Sequence, residues 1–255
     1  MFRHRLQKAR TIRVHVDWLI LSFIAGCVNA GGFLGAHRFV SHVTGFATLF
    51  GAEAARGKWD QAIGILSVPA FFLLGVIVSA YLVDNRVHRG KRPHYATVMA
   101  LVCSCMLVAA IGGRFHWFGE FGSEPKLSAD YFFLALLCAA SGLQNAAISS
   151  ASGATVRTTH LTGLTTDLGI GFVRALTDRD QYRAEMRATQ HRLGMIATFA
   201  SGSAVASYAF LKVAFLGFLL PAGLAAYLFF EALAPYRRLR RLRRAQSTQS
   251  AVKSL

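Results

Sequence analysis

The chain has 255 residues, 54% of them hydrophobic and only 16% charged, with a formal net charge of +16. A soluble domain carries about 25% charged residues, and the mean hydropathy of +0.41 puts this chain on the membrane side of that line. A nucleic-acid-binding domain is excluded as well, because the cations flank apolar runs and no separate domain remains to present them to a groove.

Taken in order, a basic stretch from Arg3 to Arg13 precedes a first apolar run at 18–34. That run exceeds the roughly 7–15 residues of a secretory signal core and lacks a clear small-residue cleavage site, so an uncleaved span is expected. Further apolar runs lie at 62–83, 96–111, 131–148, 193–211 and 213–233. Each is close to the ~17–25 residues that a spanning helix needs. Two shorter segments, 40–55 and 161–176, are interrupted by polar residues, Ser41, His42, Thr44 and Thr48 in the first and Thr162, Thr165, Thr166 and Asp167 in the second. Segments this short and polar suit re-entrant or broken helices.

Basic clusters follow the pattern of cytoplasmic loops: Arg86, Arg89, Lys91 and Arg92 in one, and six arginines between Arg237 and Arg244 after the last run. Charge totals alone do not separate six spans from eight. Segment length and the dense positive charge of the 84–94 loop favour six. The expectation is an all-α integral membrane protein of six transmembrane helices plus two short re-entrant or broken helices. It divides into a basic cytoplasmic N-terminus at 1–15, a membrane repeat at 16–112, an extracytoplasmic loop at 113–129, a second membrane repeat at 130–234, and a basic, disordered tail at 235–255. Both termini are expected in the cytoplasm of a bacterial cell, with the protein in its inner membrane and its cations against anionic headgroups.

The repeats are visible in a polar motif that occurs twice. Arg38-Phe-Val-Ser-His42-Val-Thr44-Gly45 is matched by Arg157-Thr-Thr-His160-Leu-Thr162-Gly163, and each copy follows a related strip, Val28-Asn29-Ala30 or Gln144-Asn145-Ala146. Asn29 and Asn145 are 116 residues apart, His42 and His160 118. With three spans in each half, the second half is inverted relative to the first. The two motifs would then enter from opposite faces and meet at mid-membrane, as in inverted-repeat transporters.

The strip Asn29-Ala-Gly-Gly-Phe-Leu34, with Val40-Ser-His-Val-Thr-Gly45, Gly142-Leu-Gln-Asn-Ala146 and Val156-Arg-Thr-Thr-His-Leu-Thr-Gly-Leu-Thr-Thr-Asp-Leu-Gly169, resembles the YoaK family of bacterial inner-membrane proteins. The resemblance runs from about Asp17 to Ala234. It implies about six helices and carries no settled biochemical activity. The chain departs from the family pattern at Asn29, where an acidic residue is expected, and at Phe46, where an asparagine is expected.

Polar groups inside a membrane are costly and tend to serve a site. His42 and His160 suit reversible protonation. Thr44 and Thr162 offer hydroxyls, and Asn29, Gln144 and Asn145 offer amides, to a solute or to freed backbone groups. Arg38 and Arg157 precede the histidines and would favour an anionic group or a lipid headgroup. Asp167 lies seven residues past His160, on about the same helical face, where it could take a proton or pair with an arginine. These ten residues form the candidate substrate site.

The function that best fits is a transporter or permease for a small polar solute, anions among the candidates. A passive channel, or a membrane enzyme or regulatory membrane protein, stands as the alternative. An enzyme is not expected, since the chain has no Gly-x4-Gly-Lys, His-Glu-x-x-His or Gly-x-Ser-x-Gly. The four cysteines lie in apolar runs and read as packing residues, so no metal and no cofactor is expected. Small-residue spacing permits a homodimer.

Overall fold

The computed structural model of the chain describes residues 2–123, 128–152, 161–177 and 182–234, and among these all regular structure is helical. The helices are α1 (Phe2–Ala36), α2 (Val43–Ala55), α3 (Trp59–Leu82), α4 (Asp84–His88), α5 (Tyr95–Arg114), α6 (Ser128–Ala151), α7 (Leu161–Thr177) and α8 (Tyr182–Val213). A short 3₁₀ segment, Ala214–Phe218, leads into α9 at 219–234.

Among the described residues, five stretches are long and apolar enough to cross a membrane: Val14–Ala36, Trp59–His88, Tyr95–Arg114, Ala129–Ala151 and Glu185–Ala234. The last is 50 residues long, more than twice what one crossing needs, and it breaks at Ala214, where φ is +46°. In hydrocarbon a backbone must satisfy its own hydrogen bonds, so apolar runs of this length become helices whatever their local preferences. That includes α3, which holds Pro69 in its interior.

Two pairs of helices cross at glycines. In α1 and α8, a Cβ added to Gly26 would lie 2.1 Å from the Phe199 carbonyl oxygen, and one added to Gly202 would lie 2.2 Å from that of Phe23. In α6 and α3, a Cβ on Gly142 would meet the Phe72 oxygen at 2.1 Å, and one on Gly75 the Ala139 oxygen at 2.2 Å. Without a hydrophobic drive between helices in lipid, this close backbone packing is what holds them. Ser22 Oγ donates to Met195 O at 2.8 Å and Ser203 Oγ to Gly26 O at 3.1 Å, fastening the first crossing.

These contacts fix helix directions. His15 lies beside His191, and Gly26 beside Phe199, so α1 and α8 run the same way. Gly64 packs on Tyr131, and Ser150 Oγ donates to Asp84 Oδ1 at 3.3 Å, so α3 and α6 also run the same way. Leu21 O accepts from Gln144 Nε2 at 2.7 Å, while Gly35 packs on Phe133, so α1 and α6 oppose each other.

The bundle therefore has two distinct ends. At one, Phe118, Phe121, Phe133, Phe210, Phe215 and Phe218 interlock with ring centroids 4.7–5.8 Å apart. We call this the aromatic end. The opposite, polar end holds His15, His191, Asp84 and Ser150. The chain leaves α1 and enters α3 at the aromatic end, so α2 begins and ends on that side. It leaves α6 and enters α8 at the polar end, so α7 belongs to that side.

Candidate functional site

After Ala36 the chain turns at His37, whose φ of +51° ends α1, and folds back along the helix it has just left. Gly32 makes the room: a Cβ there would lie 2.5 Å from Val40 Cγ1 and 2.9 Å from Arg38 O. Val40 is buried, and its carbonyl accepts a weak thiol hydrogen bond from Cys138 in the middle of α6 at 3.1 Å. Ser41 Oγ donates to Asn29 Oδ1 at 3.3 Å. Asn29 precedes Ala36 by two helical turns, so the start of α2 lies about 10 Å below the aromatic end of α1 at 1.5 Å per residue.

His42 occupies the N-cap position of α2 without a side-chain capping bond, and its carbonyl accepts the Gly45 N–H at 2.9 Å. Its ring is exposed, edge-on to Phe39 at 5.9 Å. Thr44 is also exposed, and its carbonyl accepts from Thr48 Oγ1 at 3.1 Å. Arg38 turns its guanidinium onto the His37 carbonyl at 3.0 Å. Of the first-half candidates, then, the fold brings Asn29 to the Ser41–His42 turn.

In the second half, Arg157 and His160 lie outside the described residues. Asn145 is buried on α6, and its Oδ1 has no hydrogen-bond partner. Gln144, equally buried, is committed to the Leu21 carbonyl and lines a narrow gap with Ala25, Val28, Val102, Ala140 and Ser141 that has no room for a water molecule. Thr162 and Asp167 are exposed on α7. The Thr162 carbonyl accepts from Thr166 Oγ1 at 2.9 Å, the same back-bond that Thr48 makes in α2.

Some participants escape a reading by residue type. Cys138 reads as packing, yet it anchors the returning loop. Glu185, Thr189 and Arg192 lie along one face of α8 beneath Gly171 of α7, and Thr189 Oγ1 and Arg192 Nη1 are buried there without hydrogen-bond partners. Their i, i+4, i+7 spacing on the rim of an apolar run was the available signal. Among the described residues no group of three or more His, Cys, Asp or Glu could hold a metal ion.

A family model described as "Protein of unknown function (DUF1275)" matches residues 18–230. The chain belongs to this family. No curated protein and no solved structure matches the chain. The DUF1275 match takes in both motifs and both glycine crossings, and stops before the arginine-rich tail, which lies outside the described residues.

Proposed function

We propose that this DUF1275 chain is a transporter for a small polar solute in the bacterial inner membrane, with the polar end in the cytoplasm and no enzymatic activity of its own. Six spans, α1, α3, α5, α6, α8 and α9, would carry two re-entrant helices, α2 from outside and α7 from inside. The observation that carries the reading is the position of the α2 N-terminus, tied by Ser41 to Asn29 and by Val40 to Cys138 at depth within the bundle. Irregular backbone at membrane depth is tolerated where it is buried in protein or lines an aqueous route. With His42 and Thr44 uncovered by the chain itself, a solute route past them is the economical account.

Inverted duplication is supported by the crossings. Gly26 and Gly142 are 116 residues apart, as Asn29 and Asn145 are, and each meets its partner's carbonyl oxygen at 2.1 Å. Partner helices are exchanged between halves, α1 with α8 and α6 with α3. Half-helix ends that meet near the midplane are where inverted-repeat transporters build their sites. The amide, hydroxyl and imidazole set, with an arginine in the sequence of each motif, suits a small oxyanion or a neutral polyol better than a metal cation. The concentration of Arg86, Arg89, Lys91 and Arg92 at the polar end supports its cytoplasmic placement.

The test is flux into proteoliposomes holding the purified full chain, with chloride, nitrate, bicarbonate, small carboxylates and glycerol as solutes. We expect saturable uptake of at least one, reduced about tenfold or more by combining His42→Ala, His160→Ala and Asp167→Asn. Uptake of none, or uptake indifferent to all three changes, would sink the proposal. Flux that never saturates would assign a channel instead.

A further inference from the structure

Two carboxylates stand at the corners where a short helix meets the long helix that follows it. At the aromatic end, Glu53 near the close of α2 has a side chain only 15% exposed, with Arg56 Nη1 2.5 Å from its Oε1 and Lys58 Nζ 3.9 Å from its Oε2. The Lys58 N–H also donates to the Glu53 carbonyl at 2.9 Å, joining α2 to the start of α3. At the polar end, Glu185 in the first turn of α8 has a side chain 17% exposed. Arg174 Nη1 of α7 lies 3.9 Å from its Oε1, and Arg192 Nη1 lies 4.0 Å from its Oε2. In each corner one largely buried carboxylate sits between two cations.

The two corners correspond. The short helices are offset by 118 residues, as His42 and His160 show, and the long ones by 127, as Gly75 and Gly202 show. Glu53 therefore corresponds to Gly171, and Lys58 to Glu185. Gly171 faces Glu185: a Cβ there would lie 3.3 Å from Glu185 Oε2, 3.0 Å from Thr189 Oγ1 and 2.7 Å from Arg192 Nη1. The same place in both halves holds a carboxylate, supplied by the short helix in one and by the long helix in the other. Chance surface pairing would have no reason to restore the acid from the opposite side. Neither corner is saturated with hydrogen bonds, since Glu53 Oε2, Thr189 Oγ1 and Arg192 Nη1 are all buried without a hydrogen-bond partner. Contacts that are charged yet under-bonded can open and re-form without breaking a rigid network.

We propose that Glu53 and Glu185 are paired latches, each holding one short helix against its long neighbour and each controlling exposure at its own end of the bundle only. The inference rests on the inverted-repeat part of the reading above, and its test reads no flux.

Reporter cysteines are placed one at a time in the full chain lacking its four native cysteines. Ala62→Cys probes the buried start of α3, and Ala175→Cys the buried face of α7. Labelling by a membrane-impermeant maleimide is timed in sealed vesicles of both orientations. We expect Glu185→Gln to speed labelling at 175 about fivefold or more from the polar end and to leave 62 unchanged. Glu53→Gln should do the reverse, and Glu185→Asp should retain most of the protection. Should Glu185→Gln fail to accumulate, Arg174→Gln, a change at an exposed residue, is expected to speed labelling at 175 alone. Unchanged labelling in every variant, or both reporters responding together, overturns the latches. Uptake of no solute in the separate proteoliposome experiment, with side-specific labelling intact here, would reject the transport reading and leave the latches standing. Flux without side-specific labelling would do the opposite.

Discussion

Gly26 and Gly51 are both helical glycines with opposite surroundings. A Cβ on Gly26 would sit 2.1 Å from a backbone oxygen and 2.9 Å from the Ser203 nitrogen, neither of which can swing aside, whereas a Cβ on Gly51 would meet nothing within 4 Å. Gly26→Ala must therefore push α1 and α8 apart, at a cost of at least about 1–3 kcal/mol, the usual range for overpacking. Gly51→Ala adds no contact and removes backbone freedom from the unfolded chain, a gain of up to about 1 kcal/mol. In detergent, the apparent melting temperature should fall by several degrees for Gly26→Ala and hold or rise for Gly51→Ala. A Gly26→Ala protein as stable as the parent would mean that the α1–α8 crossing is looser than described. Gly142→Ala, at the other crossing, should behave like Gly26→Ala.

At the scale of helices, what could be read in the sequence is whatever a run of side chains states about itself. The short polar-interrupted segments at 40–55 and 161–176 are the helices Val43–Ala55 and Leu161–Thr177, because three Ser, Thr or His residues in a row of apolar ones mark both the start and the shortness of a membrane segment. The apolar runs 193–211 and 213–233 imply a break at Lys212, and the structure breaks at Ala214–Phe218. No glycine or proline stands at Ala214 to announce a positive φ, and apolar composition alone cannot say where a long run turns. Partners were not legible. Nothing in the periodicity of α1 says that Gly26 meets Phe199, 173 residues away. Direction, by contrast, follows once partners are known, and it makes a checkable demand. Cysteines at exposed Ala55 and Glu120 should label from one side of intact cells, and a cysteine at exposed Arg89 from the other. Labelling of Ala55→Cys from the same side as Arg89→Cys would make α2 a full crossing and remove the basis for a site at mid-membrane.

For the whole molecule, what matters most is that packing partners come from opposite halves of the chain. α1 of the first half packs on α8 of the second, α6 of the second packs on α3 of the first, and the Gln144 amide of one half bonds a carbonyl of the other. Neither half retains its glycine crossings when separated, and helix association in lipid depends on such packing. Each half alone would expose Gly26 or Gly142 to lipid tails that cannot follow the groove. The aromatic end sharpens the dependence, since Phe118 of the connecting loop, in the N-terminal fragment 1–122, and Phe133, Phe215 and Phe218 of the second half form one cluster. Residues 1–122 and 128–255, expressed separately, should therefore be degraded or aggregate in detergent. Expressed together they should co-purify as a single species that runs with the intact chain. The cut falls after exposed Gly122, whose N–H donates to Gly35 O at 2.9 Å within the first fragment, so it severs none of the crossings. A half that purifies alone as a stable, monodisperse species would show that each repeat carries its own packing core. Any opening movement would then have to be sought at a boundary between self-sufficient units. If only the pair is stable, any movement that opens the molecule must leave the two glycine crossings closed, which confines the moving parts to α2, α7 and their corners.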